Sequence, residues 1–228
     1  MSINFLLDFL FPKRCVNCGK VGNYICANCY SQIEFIEKPI CPVCQRQAIG
    51  GKTHPGCKTP LGLDGLVVAC RYRGPVKFAI SKVKYRWAYN IAAILIDLLI
   101  SSFWKFDFPH NTVLVPVPLH PRRKNWRGFN QAELIVESLS KKYKQPSGEL
   151  LKRIVETKTQ VGLSKKERKA NIKGAFSLNE SSGESKIRGG SFILVDDVYT
   201  SGATMQEAAK VFKRYGAKSV WGMAIALG

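Results

Sequence analysis

Between Ser191 and Thr204 the chain reads SFILVDDVYTSGAT, a stretch that leaves few folds open. Phe192 to Val195 form an apolar run short enough for a strand buried on both faces of a parallel sheet, and the run ends in the carboxylate pair Asp196 and Asp197. Small and hydroxyl-bearing residues follow, from Thr200 through Ser201, Gly202 and Ala203 to Thr204, and lead into a helical pattern from Met205 to Tyr215 closed by Gly216. The expectation is an α/β fold: a parallel sheet flanked by helices, with the acids marking a strand's C-terminal end.

That order has a chemical reading. The backbone N–H groups of a tight loop, with the free donors and positive dipole end of the next helix, suit a phosphate monoester. Gly202 lets the backbone come close. Asp196 and Asp197 repel a phosphate, but they accept hydrogen bonds from vicinal sugar hydroxyls or reach Mg2+ through water. The pocket therefore suits a ribose 5-phosphate. LVDDVYTSGAT resembles the binding motif for phosphoribosyl pyrophosphate (PRPP) in type I phosphoribosyltransferases. The resemblance implies that Asp196 and Asp197 hold the ribose hydroxyls, while Tyr199, Thr200, Ser201, Gly202, Ala203 and Thr204 cradle the 5-phosphate.

Seven of the eight cysteines lie between residues 15 and 57. Cys15-x2-Cys18 and Cys26-x2-Cys29 are two knuckles spaced for one tetrahedral Zn2+. Cys41-x2-Cys44 is a third knuckle, and His54-x2-Cys57 supplies a fourth for a second Zn2+. The short loops favour sequential pairing, a cross-braced pairing in which knuckles one and three share an ion stays open, and disulfides are disfavoured in a cytosolic chain. A segment this rich in cysteine gains its fold from metal, so the zinc is structural. Cys70, within GLVVACRYRG, reads as a buried strand residue and not a ligand. Composition shifts between Pro60 and Gly65, which divides the chain into a zinc-ribbon module at 1–60 and an α/β domain at 61–228.

Charge is the outlier: 35 Lys and Arg against 16 Asp and Glu give a net +19, which points to an anionic partner. Lys84, Tyr85 and Arg86 sit in a run of alternating cations and aromatic rings that suits single-stranded nucleic acid, although a helix with a solvated basic face reads the same way. Thr112 to Leu119 predicts a strand halted by Pro116 and Pro118, followed by cations of which Lys124 and Arg127 suit a pyrophosphate. His120 reads as a loop histidine without chemistry. Asn130 and Glu133, and again Ser164 and Glu167, have the spacing of helix capping boxes. Residues 177–190 read as a polar loop. The apolar start is broken by Asp8 and reads as a short helix ended by Pro12, and Ile91 to Trp104 is too short to span a bilayer and reads as a buried helix. With no membrane span or secretory segment in sight, the expected location is the cytoplasm.

Taken together, the knuckles, VKYRW at 83–87, VPVPLHPRRKNWRGFNQAE at 115–133, the TQVGLSKKERKANIKGAF block and LVDDVYTSGATMQEA resemble the ComF family of competence proteins. That resemblance implies a phosphoribosyltransferase-like core behind a double zinc ribbon, a role in DNA uptake during natural transformation, single-stranded DNA and PRPP as ligands, and a competence helicase as partner. The alternative is an active phosphoribosyltransferase on an unidentified acceptor. Thr200 stands where purine-handling relatives carry an acid, and a threonine hydroxyl is a poor general base at neutral pH, so purine salvage is not expected.

Overall fold

The computed structural model describes residues 12–83, 88–155, 165–180 and 183–228. The predicted helix at the start and the capping box at Ser164 lie outside them. The described strands are β1 (Gly65–Arg71), β2 (Val113–Pro116), β3 (Leu151–Arg153), β4 (Phe176–Leu178), β5 (Ser191–Tyr199) and β6 (Ser219–Leu227). The helices are α1 (Gly74–Lys82), α2 (Ala88–Ile100), α3 (Pro121–Arg127), α4 (Gln131–Tyr143), α5 (Lys165–Ile172) and α6 (Ala203–Arg214), besides a single helical turn at Ala27–Tyr30.

Four strands make one sheet in the order β1-β6-β5-β2, and each neighbouring pair is parallel. Helices cover both faces, which is why β5 and β6 carry continuous apolar runs and not an alternation. One core lies between the sheet and α1, α2 and α4, with Ile80, Leu95, Leu99, Ile135 and Ile193 in it. The other lies between the sheet and α6, around Phe192, Leu194, Ala208 and Phe212. The acid that interrupts the apolar α2 run, Asp97, faces outward and takes a 3.2 Å ion pair from Lys142 of α4. Cys70 is fully buried opposite Ala226, and burial pushes its thiol up to about 12.

Three local readings change. β5 does not stop at the acids: Asp196 pairs with Ala224 and Tyr199 with Leu227, because β6 continues beside it and backbone pairing is indifferent to side-chain charge. Residues 176–178, the first part of the expected loop included, form β4, which pairs antiparallel with β3; three-residue strands are too short to leave a period in the sequence. Asn130 does cap α4, accepting a hydrogen bond from the Ala132 N–H at 3.1 Å. Glu133 does not complete the box, since its carboxylate takes a 2.7 Å bond from the Lys124 ammonium.

The cysteine-rich segment is continuous with the sheet. Residues 34–36 run antiparallel along the outer edge of β1, with the Ile36 N–H donating to the Ala69 carbonyl at 2.7 Å and the Arg71 N–H to the Glu34 carbonyl at 2.8 Å. This covers an edge that would otherwise present unpaired backbone. Cys15, Val16, Ile25 and Ile33 enter the first core, and Ile36 and Ile40 the second. Among the described residues no helix is long and apolar enough to cross a membrane.

Candidate functional site

β2 and β5 are neighbours, yet the helices that follow them lie on opposite faces, α4 in the first core and α6 in the second. Adjacent parallel strands whose connections diverge leave a crevice at their carboxyl ends, where open α/β sheets place their ligands. The last contact between the two strands is the Val117 N–H donating to the Val195 carbonyl at 2.9 Å. Past Val195 the proline-stiffened chain of β2 turns away, and Asp196 to Tyr199 are paired on the β6 side.

The two carboxylates lie on this unpaired margin and diverge. Asp197 lines a small cavity with Gln131, Ile135 and Ile225, and Gln131 Nε2 is buried there without a partner. Asp196 turns to the other face, within electrostatic reach of Arg153, whose guanidinium lies 5.7 Å from the Phe176 ring. Neighbouring strand positions point to opposite faces, yet at the strand end the two carboxylates stay close enough to act on each other. Burial, and then the charge of Asp197 beside it, push Asp196 well above the usual carboxylate range; the Asp197 N–H donated to Asp196 Oδ1 at 2.8 Å works the other way.

From the strand end the chain turns at Gly202, whose φ of +73° is the left-handed conformation that glycine adopts without strain. There is a second reason for glycine: a Cβ at 202 would lie 2.1 Å from the Tyr199 hydroxyl. α6 begins at Ala203, with Thr204 in its first turn, and the Ser201 hydroxyl accepts a 3.4 Å bond from the Ala203 N–H. The amides of 200–204 and the start of a twelve-residue helix thus surround the loop, an arrangement that attracts an anion.

Of the residues expected to hold PRPP, Asp196, Asp197, Thr200, Ser201, Gly202, Ala203 and Thr204 come together at this turn. Tyr199 is 1% exposed and turns into the second core, where its hydroxyl donates to the Pro42 carbonyl at 2.7 Å. What it offers a ligand is backbone. Lys124 lies on α3 with its ammonium on Glu133, and that hydrogen bond raises its pKa. Arg127 closes α3, and its side chain lies outside the described residues, as do Lys84, Tyr85 and Arg86 entirely.

The cysteine clusters resolve the pairing. Cys15, Cys18, Cys26 and Cys29 bring their sulfurs within 4.8 Å of one another, and so do the ligand atoms of Cys41, Cys44, His54 and Cys57. The knuckles therefore pair sequentially. Cys18 and Cys26 Sγ are 3.6 Å apart, close to the ~3.8 Å edge of a tetrahedron with ~2.3 Å zinc–sulfur bonds. His54 presents Nδ1 to Cys44 at 3.4 Å while Nε2 lies 2.8 Å from the Gln47 carbonyl, an outer partner that orients the ring and leaves Nδ1 for a metal. The Asn17 amide donates to Cys29 Sγ at 3.3 Å, and a hydrogen bond from Arg46 lowers the Cys44 thiol to about 6. Both donor sets fit Zn2+.

Three functional contacts escaped the sequence reading: Gln45, Pro42 and Arg153. Gln45 reaches from the third knuckle to the loop, its Nε2 donating to the Thr200 carbonyl at 3.0 Å. Its signal was available, since CVNC is followed by Gly19 and CPVC by Gln45. Pro42 and Arg153 leave no such mark.

These features define a phosphoribosyltransferase-fold protein that carries a double zinc ribbon: residues 6–58 match the double zinc ribbon domain and residues 130–226 the phosphoribosyl transferase domain. The chain is 34% identical over 227 residues to Competence protein F of Haemophilus influenzae, spanning 94% of this chain and 97% of that protein. Over 207 residues it is 33% identical to DNA utilization protein YhgH of Escherichia coli K12, with 86% and 87% covered. Competence protein ComFC of Bacillus subtilis is 30% identical over 208 residues, with 86% and 81% covered. The chain belongs to this ComF family of competence and DNA-utilization proteins.

Proposed function

We propose that the protein handles incoming DNA in the cytoplasm during natural transformation, holding single-stranded DNA and binding PRPP at the β5–α6 turn. One observation carries the PRPP reading: at a crevice where neighbouring connections diverge, an acidic strand margin runs through a left-handed glycine into a helix N-terminus. The amides of 200–204 take the 5-phosphate. Asp197, beside the Gln131 amide, and Asp196 next to it take the ribose hydroxyls. Lys124 and Arg127 would supply the positive charge for the pyrophosphate and the Mg2+ that accompanies it, with the Lys124 ammonium exchanging Glu133 for it.

In this reading residues 1–60 act as a structural zinc module and 61–228 as the ligand-binding body. Nucleic-acid binding rests on the net charge of +19 and on the cation and aromatic run at Lys84, Tyr85 and Arg86. The competence helicase is the proposed protein partner. Purine salvage is not part of the proposal, because Thr200 supplies no competent base for a purine's proton; transfer to another acceptor is the alternative reading. The test is isothermal titration of the zinc-loaded protein with PRPP and Mg2+, alone and with single-stranded DNA present. PRPP binding that shifts with DNA is expected. DNA binding without any PRPP binding would leave the sheet as a reused scaffold and refute the pocket.

A further inference from the structure

The first and third knuckles are built alike. Cys15 donates its N–H to the Lys20 carbonyl at 2.8 Å and Cys41 to the Arg46 carbonyl at 2.9 Å; the residue after each knuckle returns its N–H to the first cysteine's carbonyl, Gly19 to Cys15 and Gln45 to Cys41, both at 2.9 Å. The turn demands a left-handed residue there. Gly19 meets that demand at φ +78°, without strain, whereas Gln45 sits at +58°. A non-glycine residue in this region costs about 1–2 kcal/mol and persists where something else requires its side chain. In the first knuckle nothing does. In the third, the side chain reaches the sugar-phosphate loop and donates to the Thr200 carbonyl.

The position of that bond matters. β5 keeps its ladder to Tyr199, where the Gly228 N–H donates to the Tyr199 carbonyl at 2.9 Å. Thr200 is the first residue beyond the ladder, and Gln45 takes its carbonyl. One residue earlier, the Tyr199 hydroxyl is tied to Pro42 inside the same knuckle, and its ring fills the space below Gly202. The third knuckle thus holds the strand end of the turn at two successive residues, and a metal at Cys41, Cys44, His54 and Cys57 would make that hold rigid.

We infer that Gln45 is a positioning residue for the anion-binding loop, and that the second zinc ribbon acts as an arm presetting the 200–204 amides for a phosphate. This rests on the pocket proposed above, and its test separates the two. Ribose 5-phosphate is titrated into the zinc-loaded full chain, wild type and Gln45→Gly. Glycine relieves the left-handed backbone, so the melting temperature stays level or rises while affinity falls about five- to tenfold, the worth of one net hydrogen bond. A residue with a merely structural role would not move the two readouts apart. Gln45→Glu keeps the length but sets a carboxylate against the carbonyl, and weakens binding at least as much. Affinity within twofold of wild type in both variants overturns the inference, as does loss of zinc from Gln45→Gly, which would assign the side chain to the knuckle itself. If wild type binds no ribose 5-phosphate, the pocket reading fails, and amide hydrogen exchange at 200–204 decides the arm. Faster exchange in Gln45→Gly supports it, and equal rates refute it.

Discussion

Gly202→Ala tests the turn from two directions at once. Alanine at a φ of +73° costs about 1–2 kcal/mol in backbone conformation alone. Its Cβ would lie 2.1 Å from Tyr199 Oη and 2.6 Å from Cζ, where van der Waals contact needs more than 3.4 Å, so a fully enclosed ring must move by about an ångström. That movement breaks the 2.7 Å bond to Pro42 and leaves a buried carbonyl without its donor, a further ~1–3 kcal/mol. The sum is about 2–5 kcal/mol, a large share of the ~5–15 kcal/mol that holds a typical domain. Urea denaturation of zinc-loaded protein measures it: at a slope of about 2 kcal/mol per molar the midpoint falls by about 1–2.5 M. In a Tyr199→Phe background the closest clash and the Pro42 bond are already gone, so the same substitution costs about 1–2 kcal/mol less. A loss below 1 kcal/mol in the wild-type background, or full additivity with Tyr199→Phe, would refute the argument that ring, glycine and knuckle form one unit.

Other perturbations follow from the same geometry. Asp196 has its folded pKa raised, so its neutral form is stabilising below the unfolded value near 3.9 and that contribution is lost as pH rises through the folded value. Asp196→Asn is therefore more stable than wild type at pH 7 and loses the advantage below pH 4 in thermal melts, while PRPP binding falls. Asp64 accepts from the Lys213 ammonium at 2.6 Å and from the Val220 N–H at 2.8 Å, both largely enclosed; Asp64→Ala costs about 3 kcal/mol in urea titration. Native mass spectrometry is expected to find two Zn2+ per chain, and a chelator that strips them to lower the melting temperature sharply, because Cys15 and Cys29 lie in the first core and Cys41 is fully buried. Trp126 is 82% exposed on α3 beside Lys124; Trp126→Ala leaves stability unchanged and weakens single-stranded DNA binding by about 1–3 kcal/mol, the worth of one stacked base.

Features set by chain connectivity are legible in the amino-acid order. A strand, acids, small loop and helix within 191–215, two-residue gaps between cysteines, and an apolar run too short for a bilayer are all properties of neighbours, and the strand, loop and helix follow in that order in the structure. β5 runs past its acids because the partner strand β6, and not side-chain charge, sets the length of the ladder. The tertiary structure decided the rest. Which knuckles share an ion depends on how residues eight and more apart close into loops, and CxxC spacing is the same in either pairing. The divergence of Asp196 and Asp197 depends on the register of β5 between two strands and on which helix covers each face. Gln45 and Thr200 are separated by 155 positions, and the third knuckle is brought against the loop by the pairing of residues 34–36 along β1, the Lys52–Gly65 bridge and the burial of Ile40. Local pattern records the conformation each segment prefers; contacts between distant segments arise when edges and cores are closed, and no period in the chain announces them.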